Sequence, residues 1–163
     1  MKKSLLKTTL AYIEFGDSYL MLYRNKKPND FSQGKYLGIG GKLEKGESYI
    51  QAMKREIKEE TGLEVIKYRY LGKIDFINTV YPNERMYLFK VLEAKGEIIN
   101  SDEGKLELVE KNKLQTLPLW EGDKIFLPLL EQEKQFYLEL SYDKNDLINY
   151  KGPIFKESAN GRK

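Results

Sequence analysis

Three glutamates, Glu56, Glu59 and Glu60, lie within five positions of one another, behind a cluster of three glycines at 38, 40 and 41. On a helix they fall at i, i+3 and i+4, so their side chains share one face. Carboxylates that close repel unless a cation neutralises them. Arg55 stands four residues before Glu59, where a guanidinium can hold that carboxylate. The glycines let the backbone turn tightly and approach a ligand closely, and a backbone carbonyl there could be one more oxygen ligand. Such a donor set is all oxygen, which suits hard divalent ions: magnesium takes one or two carboxylates, waters and substrate phosphates. The plain alternative is a charged helix face in water.

The absent residue types narrow the chemistry. The chain has no cysteine and no histidine, which removes thiol nucleophiles, imidazole metal ligands and a Ser-His-Asp triad. Acid–base work must fall to Glu, Asp, Lys or Tyr. The 163 residues suit one domain with a real core. Twenty-eight basic residues against 25 acidic ones give +3, too small an excess to require a nucleic-acid polymer as partner. The longest apolar runs are too short to span a membrane, and the expected compartment is the cytoplasm.

Several elements must position the acidic cluster. Residues 8–15 and 18–24 read as a hairpin around Gly16-Asp17. Residues 25–36 form a polar loop. A helix over 48–60 carries apolar Tyr49, Ala52, Met53 and Ile57 at helical spacing and stops at Gly62. Long strands over 68–80 and 85–94 turn at Pro82-Asn83. A short strand covers 105–110. A second helix covers 123–136, with Asp123 as its N-cap and Pro128 interrupting it. Residues 136–152 form a last hairpin around Lys144-Asn145. The fold class expected is α+β: a single domain over 1–155, with a loose tail over 156–163.

The spacing is specific. Gly41, then Glu47, then Arg55-Glu56-Ile57, then Glu59-Glu60, then Gly62-Leu63 resembles the signature box of the Nudix hydrolases, with every defined position filled. A chance match in a chain this long is on the order of 10⁻⁷ or rarer. The resemblance implies an α/β/α sandwich, a mixed β-sheet between helices with the box as loop–helix–loop. It also implies magnesium-dependent hydrolysis of a nucleoside diphosphate linked to another group, with Mn²⁺ able to substitute.

The wider pattern resembles the MutT-type branch, which hydrolyses oxidised purine nucleoside triphosphates to monophosphate and pyrophosphate. In that likeness Glu103 joins the metal site of Glu56, Glu59, Glu60 and Gly40. The proton acceptor is Glu59, Glu56 or Glu103, and Arg55 supports them. Trp120 and Phe76 take the two faces of the base, and Asp123 meets its edge. Leu37 stands where the vertebrate-type enzyme has an asparagine, and Gly122-Asp123 where it has paired aspartates, so polar readout of the base is thinner here. Arg24, Lys26, Lys27 and Lys35 flank the glycine loop and could pair with phosphates. Alternative readings are a related pyrophosphohydrolase acting on a pyrimidine triphosphate, a nucleotide sugar or ADP-ribose, and a nucleotide-sensing module without catalysis. The expected assembly is a monomer or homodimer.

Overall fold

Alternation of apolar residues along the first strand builds two cores at once. In β1 (Leu5–Phe15), Leu10 and Tyr12 join one buried cluster while Ala11 and Ile13 join another on the opposite face. The computed structural model describes residues 5–28, 30 and 32–157, so most of the expected tail, residues 158–163, lies outside the described residues. β2 (Ser18–Tyr23) returns antiparallel to β1, with Phe15 opposite Ser18. β3 (Tyr36–Leu37) and β4 (Ile39–Lys42) follow; β4 pairs with β1 further back, with Gly40 opposite Leu10. The stretch expected as an irregular glycine loop is thus partly strand.

After the helix α1 (Tyr49–Thr61) come β5 (Glu64–Asn78), β6 (Asn83–Lys95) and β7 (Lys105–Glu110). A 3-10 segment over Lys111–Thr116 leads to α2 (Asp123–Phe126), a second 3-10 segment (Leu127–Glu131), β8 (Phe136–Asp143) and β9 (Asp146–Phe155). The sheet order is β3-β2-β1-β6-β5-β8-β9, with β4 added to β1 and β7 to β2. It is mixed: β1 runs parallel to β6 and β5 parallel to β8, while the other pairs are antiparallel. α1 covers one face, against Ile13, Leu20, Phe89 and Val91. The segments from 114 to 130 cover the other, through Leu114, Phe126, Leu127 and Leu130.

The second helix is shorter than expected. α2 has four residues and gives way to 3-10 geometry at Pro128, whose ring cannot donate the next helical bond. α1 matches its expected range to within a residue. Ser48 Oγ accepts from the Gln51 amide at 3.1 Å and Gln51 Oε1 accepts from the Ser48 amide at 2.9 Å, a complete capping box. At the far end Gly62 takes φ +82°, where a side chain would be strained. Ser48→Ala is expected to lower unfolding free energy by about 1 kcal/mol. Urea titration measures this.

Candidate active site

Between its caps α1 buries Ala52, Met53 and Ile57 against the sheet and turns Glu56, Glu59 and Glu60 toward the loops. Arg55 organises this acidic surface more widely than i, i+4 spacing suggests. Its Nε and Nη2 grip both oxygens of Glu47 at 2.7 and 2.9 Å. Its Nη1 reaches Glu56 at 2.7 Å and Glu59 at 3.1 Å, and Nη2 also donates to the Lys42 carbonyl at 3.1 Å. Hydrogen bonds from Arg55 hold the Glu47 carboxyl below its ordinary range. Glu56 behaves oppositely. Burial raises its pKa, against the lowering effect of Arg55 and with help from the charges of Glu59 and Glu103.

Glu60 sits deeper. It accepts from Ser101 Oγ at 2.6 Å. Burial first, then the adjoining Glu103 side chain, push its pKa up to about 7. Glu103 is fixed from behind: its amide donates to Ser101 Oγ at 3.1 Å, and Arg24 Nη1 lies 3.4 Å from Glu103 Oε1. Arg24 is also bonded to Asp30 at 2.7 Å, so two carboxylates already hold this residue. Lys26 donates to the Ser101 carbonyl at 2.6 Å. The glycines make room for this packing. A Cβ at Gly41 would fall 2.6 Å from the Glu56 carboxyl carbon, and one at Gly40 only 1.8 Å from the Thr9 carbonyl oxygen.

Among the described residues no three carboxylates form a ready-made cluster that could hold a metal ion. Arg55 draws Glu56 and Glu59 to one side, and Ser101 with Glu103 holds Glu60 on the other. The donor chemistry nevertheless fits a hard cation. All donors are oxygens, and two of the carboxyls, Glu56 and Glu60, are pushed toward the protonated form by burial and by neighbouring carboxylates. A divalent ion relieves that repulsion.

One cavity of about 780 Å³ is lined by Gly40, Gly41, Arg55, Glu56 and Glu103 and also by Phe76, Trp120 and Asp123. Leu37, Arg24 and Lys27 line its wall; Glu59, Glu60 and Lys35 do not. The aromatic end is ordered by contacts. Trp120 meets Tyr142 edge-on at 5.5 Å, Phe76 lies 6.3 Å from the same tyrosine, and Trp120 Nε1 donates to Ser32 Oγ at 2.9 Å. Lys35, expected beside phosphates, instead carries its ammonium 5.1 Å over the Trp120 ring.

The expected N-cap role of Asp123 is not what the fold shows. Gly122 is the cap, and Asp123 opens the helix with no side-chain cap bond. The residue is 3% exposed, lines the cavity, and among the described residues its Oδ2 has no hydrogen-bond partner. Burial, then the nearby Glu84 charge, raise its pKa to about 8, with Lys35 opposing. An acid protonated in the fold and ionised when unfolded loses stability as pH rises between about 4 and 8, because the native state binds the extra proton. Asp123→Asn is therefore expected to flatten the fall in stability between pH 5 and 8, relative to the parent, by up to about 1.4 kcal/mol per pH unit. Melting curves across that window measure it. Parallel pH profiles for parent and variant would show that Asp123 is ionised in the fold.

Thr8, Glu84 and Tyr142 also line the cavity and escaped the sequence reading. Strand parity was the available signal. Glu84 shares a face with Met86 and Leu88, and Thr8 with Leu10 and Tyr12, so each sets a polar group on an otherwise apolar face.

The NUDIX domain profile matches residues 7–130. The chain belongs to the Nudix family. It is 29% identical over 130 residues to the oxidized purine nucleoside triphosphate hydrolase of Danio rerio, covering 75% of this chain and 79% of that protein. An uncharacterized Nudix hydrolase of Bacillus subtilis (strain 168) is 30% identical over 124 residues, covering 73% and 75%. The crystal structure of a MutT protein from Bacillus halodurans superposes with a TM-score of 0.80 at 29% identity, over 90% of this chain and 96% of that one. The mixed sheet with its flanking helices is that Nudix architecture, and the chain is a hydrolase of the family. Nudix hydrolases act on nucleotides and generally use divalent cations. No helix among the described residues is long and apolar enough to cross a membrane.

Proposed function

We propose that this Nudix hydrolase cleaves oxidised purine nucleoside triphosphates to monophosphate and pyrophosphate with Mg²⁺, clearing damaged nucleotides before DNA synthesis. The observation that carries the reading is the continuity of one cavity from the carboxylates at Glu56 and Glu103 to the aromatic end at Trp120 and Phe76. A nucleotide needs both ends. The relatives named oxidized purine nucleoside triphosphate hydrolase supply the substrate class.

Glu56, Glu60, Glu103 and the Gly40 carbonyl would hold the metal, with Glu59 at the margin, where its side chain is 55% exposed. When bound, Mg²⁺ neutralises phosphoryl charge and lowers the pKa of attacking water; Mn²⁺ would serve the same role. Arg55 is a positioning residue, fixing Glu47, Glu56 and Glu59 with one guanidinium. The water's proton passes to a carboxylate, and Glu56 and Glu103 are the two glutamates of this set that line the cavity. The water oxygen bonds to phosphorus as the P–O bond to the departing group breaks, and that group leaves as pyrophosphate. Lys27, on the cavity wall, is placed to receive phosphate charge.

The test is hydrolysis of standard and 8-oxo nucleoside triphosphates, ADP-ribose and a nucleotide sugar, with Mg²⁺ and with EDTA. The expected result is metal-dependent release of monophosphate and pyrophosphate, fastest on the oxidised purine. Orthophosphate appearing directly, without added pyrophosphatase, would contradict the cleavage position. Turnover confined to ADP-ribose or the sugar nucleotide would contradict the substrate class.

A further inference from the structure

Two acidic side chains that Arg55 does not hold, Asp123 and Glu84, line the cavity and interact through their charges. Asp123 enters from the start of α2, and Glu84 enters from the start of β6. Glu84 is pinned. Thr8 Oγ1, on the adjacent strand β1, donates to Glu84 Oε2 at 2.5 Å, and Leu6 of β1 pairs with Glu84 across the parallel ladder. Its other oxygen makes no hydrogen bond among the described residues. Burial raises the pKa of Glu84, and the Thr8 hydroxyl and the charge of Lys42, which also lines the cavity, oppose that rise. The unpartnered, buried Oδ2 of Asp123 shows that this part of the cavity is built around polar groups awaiting partners.

An ionised carboxylate accepts hydrogen bonds and cannot donate. With Thr8 donating to one of its oxygens and the group lining the cavity, the Glu84 carboxylate selects a base edge that offers donors side by side. A guanine-type edge does so, with N1–H beside the 2-amino group. Adenine and cytosine place an acceptor next to their amino group, thymine flanks N3–H with two carbonyls, and hypoxanthine keeps N1–H but has no amino group. We propose that Glu84, oriented by Thr8, is a specificity-determining residue that selects 2-amino-6-oxopurine nucleotides by accepting from their N1–H and 2-amino groups. This rests on the nucleotide-hydrolase reading of the cavity and adds to it a residue from β6. Asp123, which also lines the cavity, is left to complement the acceptors of the same base. Phe76, Trp120 and Tyr142 supply faces and no such choice.

The probe pair is dGTP and dITP, which differ only in the 2-amino group. The parent enzyme is expected to favour dGTP in kcat/KM by about 10-fold or more, the scale of one hydrogen bond to a charged acceptor. Glu84→Leu should bring the ratio to about 1, and Glu84→Gln, which still accepts through its carbonyl oxygen, to an intermediate value. Thr8→Val should narrow the ratio by releasing Glu84. Binding of dGMP and dIMP, measured calorimetrically without turnover, should follow the same order. A parent that treats dGTP and dITP alike overturns the proposal, as does a ratio that survives in Glu84→Leu and Glu84→Gln. If the leucine variant fails to fold, the parent ratio and the glutamine variant decide. If no triphosphate is hydrolysed, the hydrolase reading falls, and the dGMP and dIMP affinities still decide the role of Glu84.

Discussion

Glu56→Gln and Glu60→Gln are each expected to lower kcat by about 10²-fold or more at saturating Mg²⁺. Each change removes one negative charge and keeps the side-chain shape. The two sites should separate in stability. Glu60 lies against Glu103, and burial with that neighbour already pushes its carboxyl toward protonation. Removing the charge there relieves repulsion, while the Ser101 hydroxyl can still donate to the amide oxygen. Thermal stability of Glu60→Gln without metal should therefore equal or exceed that of the parent. Glu56 is bonded to Arg55, which keeps Glu47 and Glu59 as partners when that charge is lost. A small loss of stability is expected there. Steady-state kinetics over a magnesium titration, with melting curves beside them, make the check. Near-normal kcat in either variant would show that its carboxylate is not part of the reacting centre.

How much of this was visible in the sequence depends on the range of the forces involved. α1 was legible because its determinants are local: apolar spacing at Ala52, Met53 and Ile57, and a glycine stop at Gly62. The hairpin at Gly16-Asp17 and the turn at Lys144-Asn145 were legible for the same reason. Arg55 was only half legible. The i, i+4 rule points to Glu59, yet the strongest grip is on Glu47, which the loop before α1 folds back toward the helix. The cap reading of Asp123 misled because an acidic residue before an apolar run is the usual mark of a cap, and nothing local reveals that the position is 3% exposed. Glu84 and Thr8 needed the pairing of β1 with β6, a parallel contact between strands about 75 residues apart, before their shared face meant anything.

Trp120→Ala is expected to raise KM for every purine and pyrimidine triphosphate by about 30-fold, the middle of the range of about 1–3 kcal/mol for stacking a base on an aromatic ring. The loss should be shared across bases, because every base has a π-face and stacking does not read its edge. It should fall on KM rather than kcat. Trp120 contacts Ser32, Lys35 and Tyr142, whereas Glu56 and Glu103 are held by Arg55, Arg24 and Ser101, so the reacting phosphate keeps its surroundings. Phenylalanine at this position should recover most of the affinity. What it cannot recover is the indole N–H bond to Ser32 at 2.9 Å, which fixes the ring plane edge-on to Tyr142. Ser32→Ala should therefore reproduce a minor part of the defect, about 3-fold in KM, by loosening the ring without removing it. Phe76→Leu tests the other face, and its effect should combine with that of Trp120→Ala less than additively, since a base stacked on one side only has already lost its fixed position. Full KM and kcat determinations on dGTP and dCTP for the four single variants and the Trp120→Ala/Phe76→Leu double variant separate these outcomes. A Trp120→Ala enzyme with unchanged KM and depressed kcat would place the ring at the phosphates instead of the base.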